Sequence, residues 1–294
     1  MGRSASYGLG MSAPGIELFR GLELRTNVGV LYDDAEVVQH DGFIAVTNRG
    51  NPLHFSGNML VFPNPPQEGD LGRWLALWHD TFGERFDHRT FEWDRTDGDE
   101  GAAQEFVDVG FELHRTMTLV AAPEDVVLRD YDTSYVETVE VDLAAQADDV
   151  IDLAVAADPE MAAREGVERH REFQRRQVAR RERAIAAGNG LWVGARAEDG
   201  QLVASLGVLR VNGGLGRYQH VDTHPDWRRQ GICSRLLYEA ARLARERLDV
   251  DTLVIAADRE YHALDLYRKV GFQDRELTTG LMRTPARTDA AAGD

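Results

Sequence analysis

The chain has 294 residues, enough for about two domains at roughly 150 residues each. Its 33 Lys and Arg face 50 Asp and Glu, giving a formal net charge of −17. That balance disfavours non-specific nucleic-acid binding and gives no polybasic contact for an anionic membrane. One cysteine, Cys233, excludes an intrachain disulfide framework and a multi-cysteine zinc site. Lys269 is the only lysine, so arginine carries the positive charge. This habit suits a salt-rich cytoplasm or a GC-rich genome equally. The N-terminus lacks the apolar core of a signal peptide, and no run reaches the ~18 apolar residues of a membrane span. A cytoplasmic protein, an enzyme or small-ligand binder, is expected.

In chain order, residues 1–15 read as a flexible, Gly- and Ser-rich N-terminus. Gly42–Asn48 and Met59–Phe62 are predicted strands, the second ended by Pro63–Pro66. Leu71, Trp74, Leu75 and Trp78 fall at three- and four-residue spacing and predict a helix over Leu71–Phe82. His88–Trp93 and Glu112–Val120 follow as strands around the acidic turn Thr96–Gly101. Ala121–Thr133 reads as a connecting segment. A second series opens with the strand Tyr135–Asp142, then two helical stretches separated by Asp158–Pro159. The longer one, Pro159–Ala187, mixes eight arginines with five glutamates and reads as a solvated, ion-paired surface. Gly190–Arg196 and Gln201–Arg210 form a hairpin, and Gly216–Thr223 is the next strand. A long amphipathic helix spans Gly231–Leu248, followed by the strand Val250–Ala256, the helix Tyr261–Val270 and the strand Thr278–Arg283. Strands alternating with covering helices predict a mixed α/β layer fold. Residues 285–294 read as a disordered tail.

Gly110-Phe111 and Gly271-Phe272 each lead from a polar stretch into a strand at the end of a half of similar size, as a duplicated domain would leave them. The expected division is a first domain over 16–122, a linker over 123–134 and a second domain over 135–284.

The strongest local signal lies between a strand and the long helix: Val221-Asp222-Thr223-His224-Pro225-Asp226-Trp227-Arg228-Arg229-Gln230-Gly231-Ile232-Cys233-Ser234. Unpaired first-turn amides, the positive end of the helix dipole and a glycine together make an anion site. It is neither a Walker A loop, since no Gly-Lys-Ser/Thr is present, nor a three-glycine dinucleotide fingerprint.

Arg228-Arg229-Gln230-Gly231-Ile232-Cys233 resembles the acetyl-coenzyme A binding motif R/Q-x-x-G-x-G/A of the GCN5-related N-acetyltransferase (GNAT) superfamily. Ala263-Leu264-Asp265-Leu266-Tyr267 before Gly271-Phe272 is similar to that family's N-x-x-A-x-x-L-Y-x-x-x-G-F segment. The resemblance covers residues 135–284. Over 16–122 only the Gly-Phe strand persists, as in a degenerate copy without its cofactor loop. It implies an acyl-CoA N-acyltransferase fold, with a mostly antiparallel twisted sheet flanked by helices, present twice. Acetyl-CoA would be the co-substrate, with no metal. The pantetheine arm would run along Val221, Asp222 and Thr223, and the pyrophosphate would rest on the amides of Arg229 to Ser234. Tyr267 would protonate the departing thiolate. Cys233 stands where the family has glycine or alanine, and Glu260 where it has asparagine.

The attacking amine must lose a proton, and His220, Asp222 and His224 are the nearby titratable groups. Strand alternation puts His220 and Asp222 on one face, opposite Gln219, Val221 and Thr223. The expected activity is transfer of an acetyl group to a primary amine of a small-molecule or peptide acceptor by direct attack. No nucleic-acid or membrane partner is expected, and the protein would be a monomer or homodimer. The alternative is a non-catalytic acyl-CoA-binding or sensor protein.

Overall fold

In the computed structural model, which describes residues 12–285, the chain runs α1 (Leu22–Gly29), β1 (Ala35–His40), β2 (Phe43–Asn48), β3 (Met59–Phe62), α2 (Asp70–Phe82), β4 (Arg89–Trp93), α3 (Gln104–Val107) and β5 (Glu112–Ala121). It continues through β6 (Glu137–Glu140), α4 (Ala147–Ala157), α5 (Pro159–Glu165), α6 (Val167–Ala186), β7 (Gly190–Arg196), β8 (Leu202–Val211) and β9 (Leu215–Thr223). The last elements are α7 (Ile232–Arg247), β10 (Thr252–Asp258), α8 (Ala263–Lys269) and β11 (Gln273–Arg283). All eleven strands form one sheet, ordered β1-β2-β3-β4-β11-β5-β10-β9-β8-β7-β6. Only β3–β4 and β9–β10 pair parallel, so the sheet is mostly antiparallel. The expected mixed α/β architecture is therefore present.

The wiring has an internal symmetry. In each half a strand leads through a helix to a parallel neighbour: β3 through α2 to β4, and β9 through α7 to β10. The closing strands are then exchanged. β5 of the first half pairs with β10, β11 of the second pairs with β4, and the two pair with each other at the centre. The Gly-Phe similarity falls at the entry to these two exchanged strands.

The cores differ in kind. α2 lays Trp74 and Trp78 against Phe91 and Trp93, with Phe62 stacked on Trp74 at 3.7 Å. α7 instead packs Ile232, Leu236, Leu237, Ala240 and Ala244 onto aliphatic residues of β7 and β8. A third cluster joins the halves, with Leu24, Val28 and Leu31 against Val211, Leu215 and Val254. No described helix is long and apolar enough to cross a membrane.

Several boundaries depart from the sequence expectations for identifiable reasons. Gly166 at φ 86° divides the expected Pro159–Ala187 helix into α5 and α6. The final strand begins at Gln273, because antiparallel pairing with β5 supports it through a bulge near Arg275. The 135–142 strand is shortened to β6. α1, β1 and α3 were not expected at all. α1 has little local signal, and its entry is fixed by distant carboxylates: Asp94 accepts from the amides of Arg20 and Gly21, and Glu276 from those of Leu22 and Glu23. Residues 1–11 of the expected flexible N-terminus and 286–294 of the expected tail lie outside the described residues. Ala13, by contrast, is buried, and its amide bonds Gly29 O.

One ion pair ties α1 to the strand that carries the site. Arg217 on β9 meets Glu23 through two bonds of 2.5 and 3.0 Å and bonds Thr26 Oγ1 at 2.7 Å, with little solvent access on either side. Removing one partner of such a pair strands a charge in low dielectric. Glu23→Leu is therefore expected to lower unfolding free energy by about 3 kcal/mol. The double variant Glu23→Leu/Arg217→Met should recover much of the loss. Equal denaturant midpoints for wild type and Glu23→Leu would refute this.

Candidate functional site

β9 and β10 pair only from Leu215–Arg217 to Thr252–Val254. Beyond that point β9 stays with β8 and β10 with β5, so the two strands diverge and leave a wedge at their carboxyl ends. A bulge marks the divergence. The β8–β9 register slips between Ser205/Asp222 and Gly207/Gln219, and His220 takes φ 44°. Positive φ is costly for a residue with a Cβ, and such outliers concentrate where a side chain is being aimed. Ser205 and Gly207 share a face of β8, so Gln219 and Asp222 share a face of β9. The bulge thus overrides the simple alternation that set Gln219 opposite Asp222. His220 and Asp222 are brought together as expected, with Nδ1 and Oδ2 3.4 Å apart.

After β9, a short turn from Pro225 to Trp227 leads to Arg229 at φ 62° and Gly231 at φ 84°, where α7 starts. Among the described residues, the backbone amides of Arg229, Gln230, Gly231, Ile232, Cys233 and Ser234 find no backbone acceptor. Six consecutive free donors at the positive end of a sixteen-residue helix suit a multiply charged anion. The residues present therefore fit the diphosphate of a coenzyme A. Arg228 has a different task. Its guanidinium bonds Thr223 O at 3.1 Å and Ala157 O at 2.6 Å, pinning the loop to β9 and the end of α4.

The connection between the halves passes over this loop. The Val127 amide bonds Val270 O, Tyr131 lies against Gly231, and the Tyr135 hydroxyl donates to Gln230 O at 2.9 Å while its ring stacks on Trp227. Arg129, Tyr131, Gly231 and Arg235 border a cavity of about 320 Å³ there. Its nearness to the loop was not legible in the sequence, which reads residues 123–134 as a plain linker.

Tyr267, on α8, is buried next to Phe272. Burial raises its hydroxyl pKa far above the ordinary tyrosine range, and the Asp222 carboxylate acts in the same direction. The proton therefore stays on oxygen, as a donor requires. Burial likewise pushes the Cys233 thiol up to about 12. The thiol packs with the core under α7 and is no nucleophile at neutral pH. His224 turns to its own loop, where Nδ1 accepts from the Asp226 amide at 3.4 Å. Val221 packs on the α7 side of the sheet, and the Ser234 hydroxyl is buried without a partner among the described residues.

On the opposite face, His220 opens into a cavity of about 380 Å³ between the first-half loop Leu53–Ser56, α5, α6 and Met282. Burial, followed by the nearby Arg181 guanidinium, depresses the His220 pKa below the ordinary histidine value, against the opposing pull of Asp222. The imidazole is thus neutral at pH 7, the form that accepts a proton. Arg180 and Arg181 themselves correct the reading of α6 as a wholly solvated surface: both are buried, at 4% and 1% exposure. Among the described residues, no group of three or more His, Cys, Asp or Glu could hold a metal ion.

Comparisons with known proteins agree with this geometry. Residues 148–272 match the acetyltransferase (GNAT) family. A functionally unknown conserved protein from Staphylococcus epidermidis superposes with a TM-score of 0.66 at 15% identity, covering 86% of this chain and 96% of its own. A GCN5-related N-acetyltransferase from Kribbella flavida gives 0.60 at 16% identity, covering 87% and 91%. A tandem GNAT protein from the clavulanic acid biosynthesis pathway gives 0.51 at 14% identity, covering 86% and 79%. At these identities the likeness is one of fold. No curated protein matches the sequence.

Proposed function

Since the chain carries a GNAT-family acetyltransferase domain, we propose that it transfers an acetyl group from acetyl-CoA to a primary amine by direct attack. The observation that carries this reading is the run of six amides opening α7 that have no partner among the described residues, beside the wedge between β9 and β10. Acetyl-CoA, when bound, supplies a thioester carbonyl open to an amine. Amides 229–234 would hold the diphosphate, and the unpaired edge of Val221–Thr223 would hold the arm leading to the acyl group. His220, oriented by Asp222, takes the proton from the amine. Tyr267 presents its hydroxyl proton toward the sulfur side. The non-catalytic alternative is disfavoured because the His220 face opens into a cavity of small-molecule size.

The first half reads as a copy of the same unit that has lost its site. β3 pairs with β4 to its last residue, so no wedge forms there. The connection to α2 contains Pro63, Pro65 and Pro66, which have no amide to offer. The Glu105 carboxylate already accepts from the Gly69 amide, at 3.1 Å from each oxygen.

The reading is tested by coenzyme-thiol release over a panel of primary amines. Tyr267→Phe is expected to lower kcat by about 10²-fold with the KM for acetyl-CoA nearly unchanged. An unaltered kcat removes Tyr267 from the proton path.

A further inference from the structure

The net charge of −17 favours a cationic acceptor, but the cavity facing His220 is built the other way. One wall is apolar, formed by Leu53 and Phe55 of the first half with Met161, Phe173 and Met282. The facing wall is a polar stripe on α6. His170, Gln174 and Gln177 line the cavity at intervals of four and three residues along one side of the helix, and Arg181, four residues further on, continues that side beyond the lining. Each is 4% exposed or less. His170 Nε2 and Gln174 Oε1 line the cavity with no hydrogen-bond partner among the described residues.

The stripe ends in two buried guanidiniums that form no ion pair among the described residues, although Asp222 acts on Arg181 and Asp34 on Arg180 from beyond ion-pair distance. Arg180 bonds the neutral Val30 O and Gln177 Oε1. Arg181 lies over the Trp192 ring at 5.2 Å, and none of its three nitrogens has a partner among the described residues. At the mouth, Glu165 is already paired with Arg169 at 3.0 Å, and Asp158 is held by the Met161 amide. Burial first, and then the Arg180 and Arg181 guanidiniums, depress the pKa of His54 and His220, with Asp222 opposing them at His220. A substrate with a second ammonium would meet the positive potential of those guanidiniums, which Asp222 offsets only in part, whereas a carboxylate would relieve it. The apolar wall adds a preference for a hydrophobic body.

We propose that the acceptor is a small monoamine with an apolar body and a carboxylate, a hydrophobic amino acid, and that the first half contributes to its binding through Leu53 and Phe55. This rests on the reading of the β9–α7 loop as the acyl-donor site.

The test measures acceptor binding calorimetrically without donor, then turnover with acetyl-CoA, using L-phenylalanine, phenethylamine, spermidine and kanamycin as probes. L-Phenylalanine is expected to bind and to give a kcat/KM at least tenfold above phenethylamine, spermidine and kanamycin. Leu53→Trp, which fills the cavity from the first half, should weaken L-phenylalanine binding at least tenfold and leave acetyl-CoA affinity unchanged. The proposal is overturned if spermidine or kanamycin is the better acceptor, if phenethylamine matches phenylalanine, if phenylalanine does not bind, or if Leu53→Trp binds it as wild type does. Failure of acetyl-CoA to bind would instead count against the donor site, because acceptor binding is read without it.

Discussion

Replacing His220 with glutamine is expected to lower kcat with a good acceptor by 10²–10⁴-fold, the usual share of a positioned general base. Acetyl-CoA affinity should be unaffected, since the imidazole opens on the acceptor side of the sheet. The pH profile carries the sign. A histidine whose pKa is depressed stays neutral further into acid, so activity should hold through neutral pH and fall only below the ordinary histidine value of 6.5. Asp222 works against that depression, so Asp222→Asn should move the acid limb to still lower pH while lowering the rate. Glutamine at 220 should abolish the limb. A His220→Gln enzyme with wild-type kcat and an unchanged profile would leave the proton to solvent and end the assignment.

Gly231→Val should weaken acetyl-CoA by about 100-fold, equivalent to about 2.7 kcal/mol. Two effects combine. The position sits at φ 84°, which disfavours a β-branched residue, and an added Cβ falls well inside contact distance of Tyr131 Cβ. The loop must then turn its amides away or push the 127–135 segment off α7. Gly231→Ala combined with Tyr131→Gly removes the collision, which begins at Tyr131 Cβ, but keeps the backbone strain, so it should recover part of the affinity. Equal affinities for Gly231→Val and wild type would show that these amides are not the donor grip.

The parts of the fold legible in the sequence are those written in local patterns. α2 and α7 announce themselves by apolar spacing, the β7–β8 hairpin by its turn, and the β9–α7 loop by Arg228 to Ser234 at the start of a long helix. The exchange of β5 and β11 was not legible, because either half could have closed its own sheet with its own last strand. α1 was hidden because Asp94 and Glu276, which fix its entry, are distant in sequence. Strand alternation places His220 and Asp222 on one face, but the structure brings them together through a bulge in the register against β8 that overrides alternation and aims His220. The cavity facing His220 was invisible for the same reason: Leu53, Phe173, His220 and Met282 meet only once both halves share a sheet. Arg181 shows the limit of composition most clearly, since its neighbours in sequence read as an ion-paired surface while it lies at 1% exposure.

Titration calorimetry with acetyl-CoA, at low and at molar salt, tests the central claim most directly. One site per chain is expected in the wild type, because in the first half β3 pairs with β4 to its last residue, Pro63, Pro65 and Pro66 offer no amide, and Glu105 holds the Gly69 amide, and that binding should be lost in Gly231→Val. Two sites, or no binding at either salt, would contradict a single donor site on the β9–α7 loop.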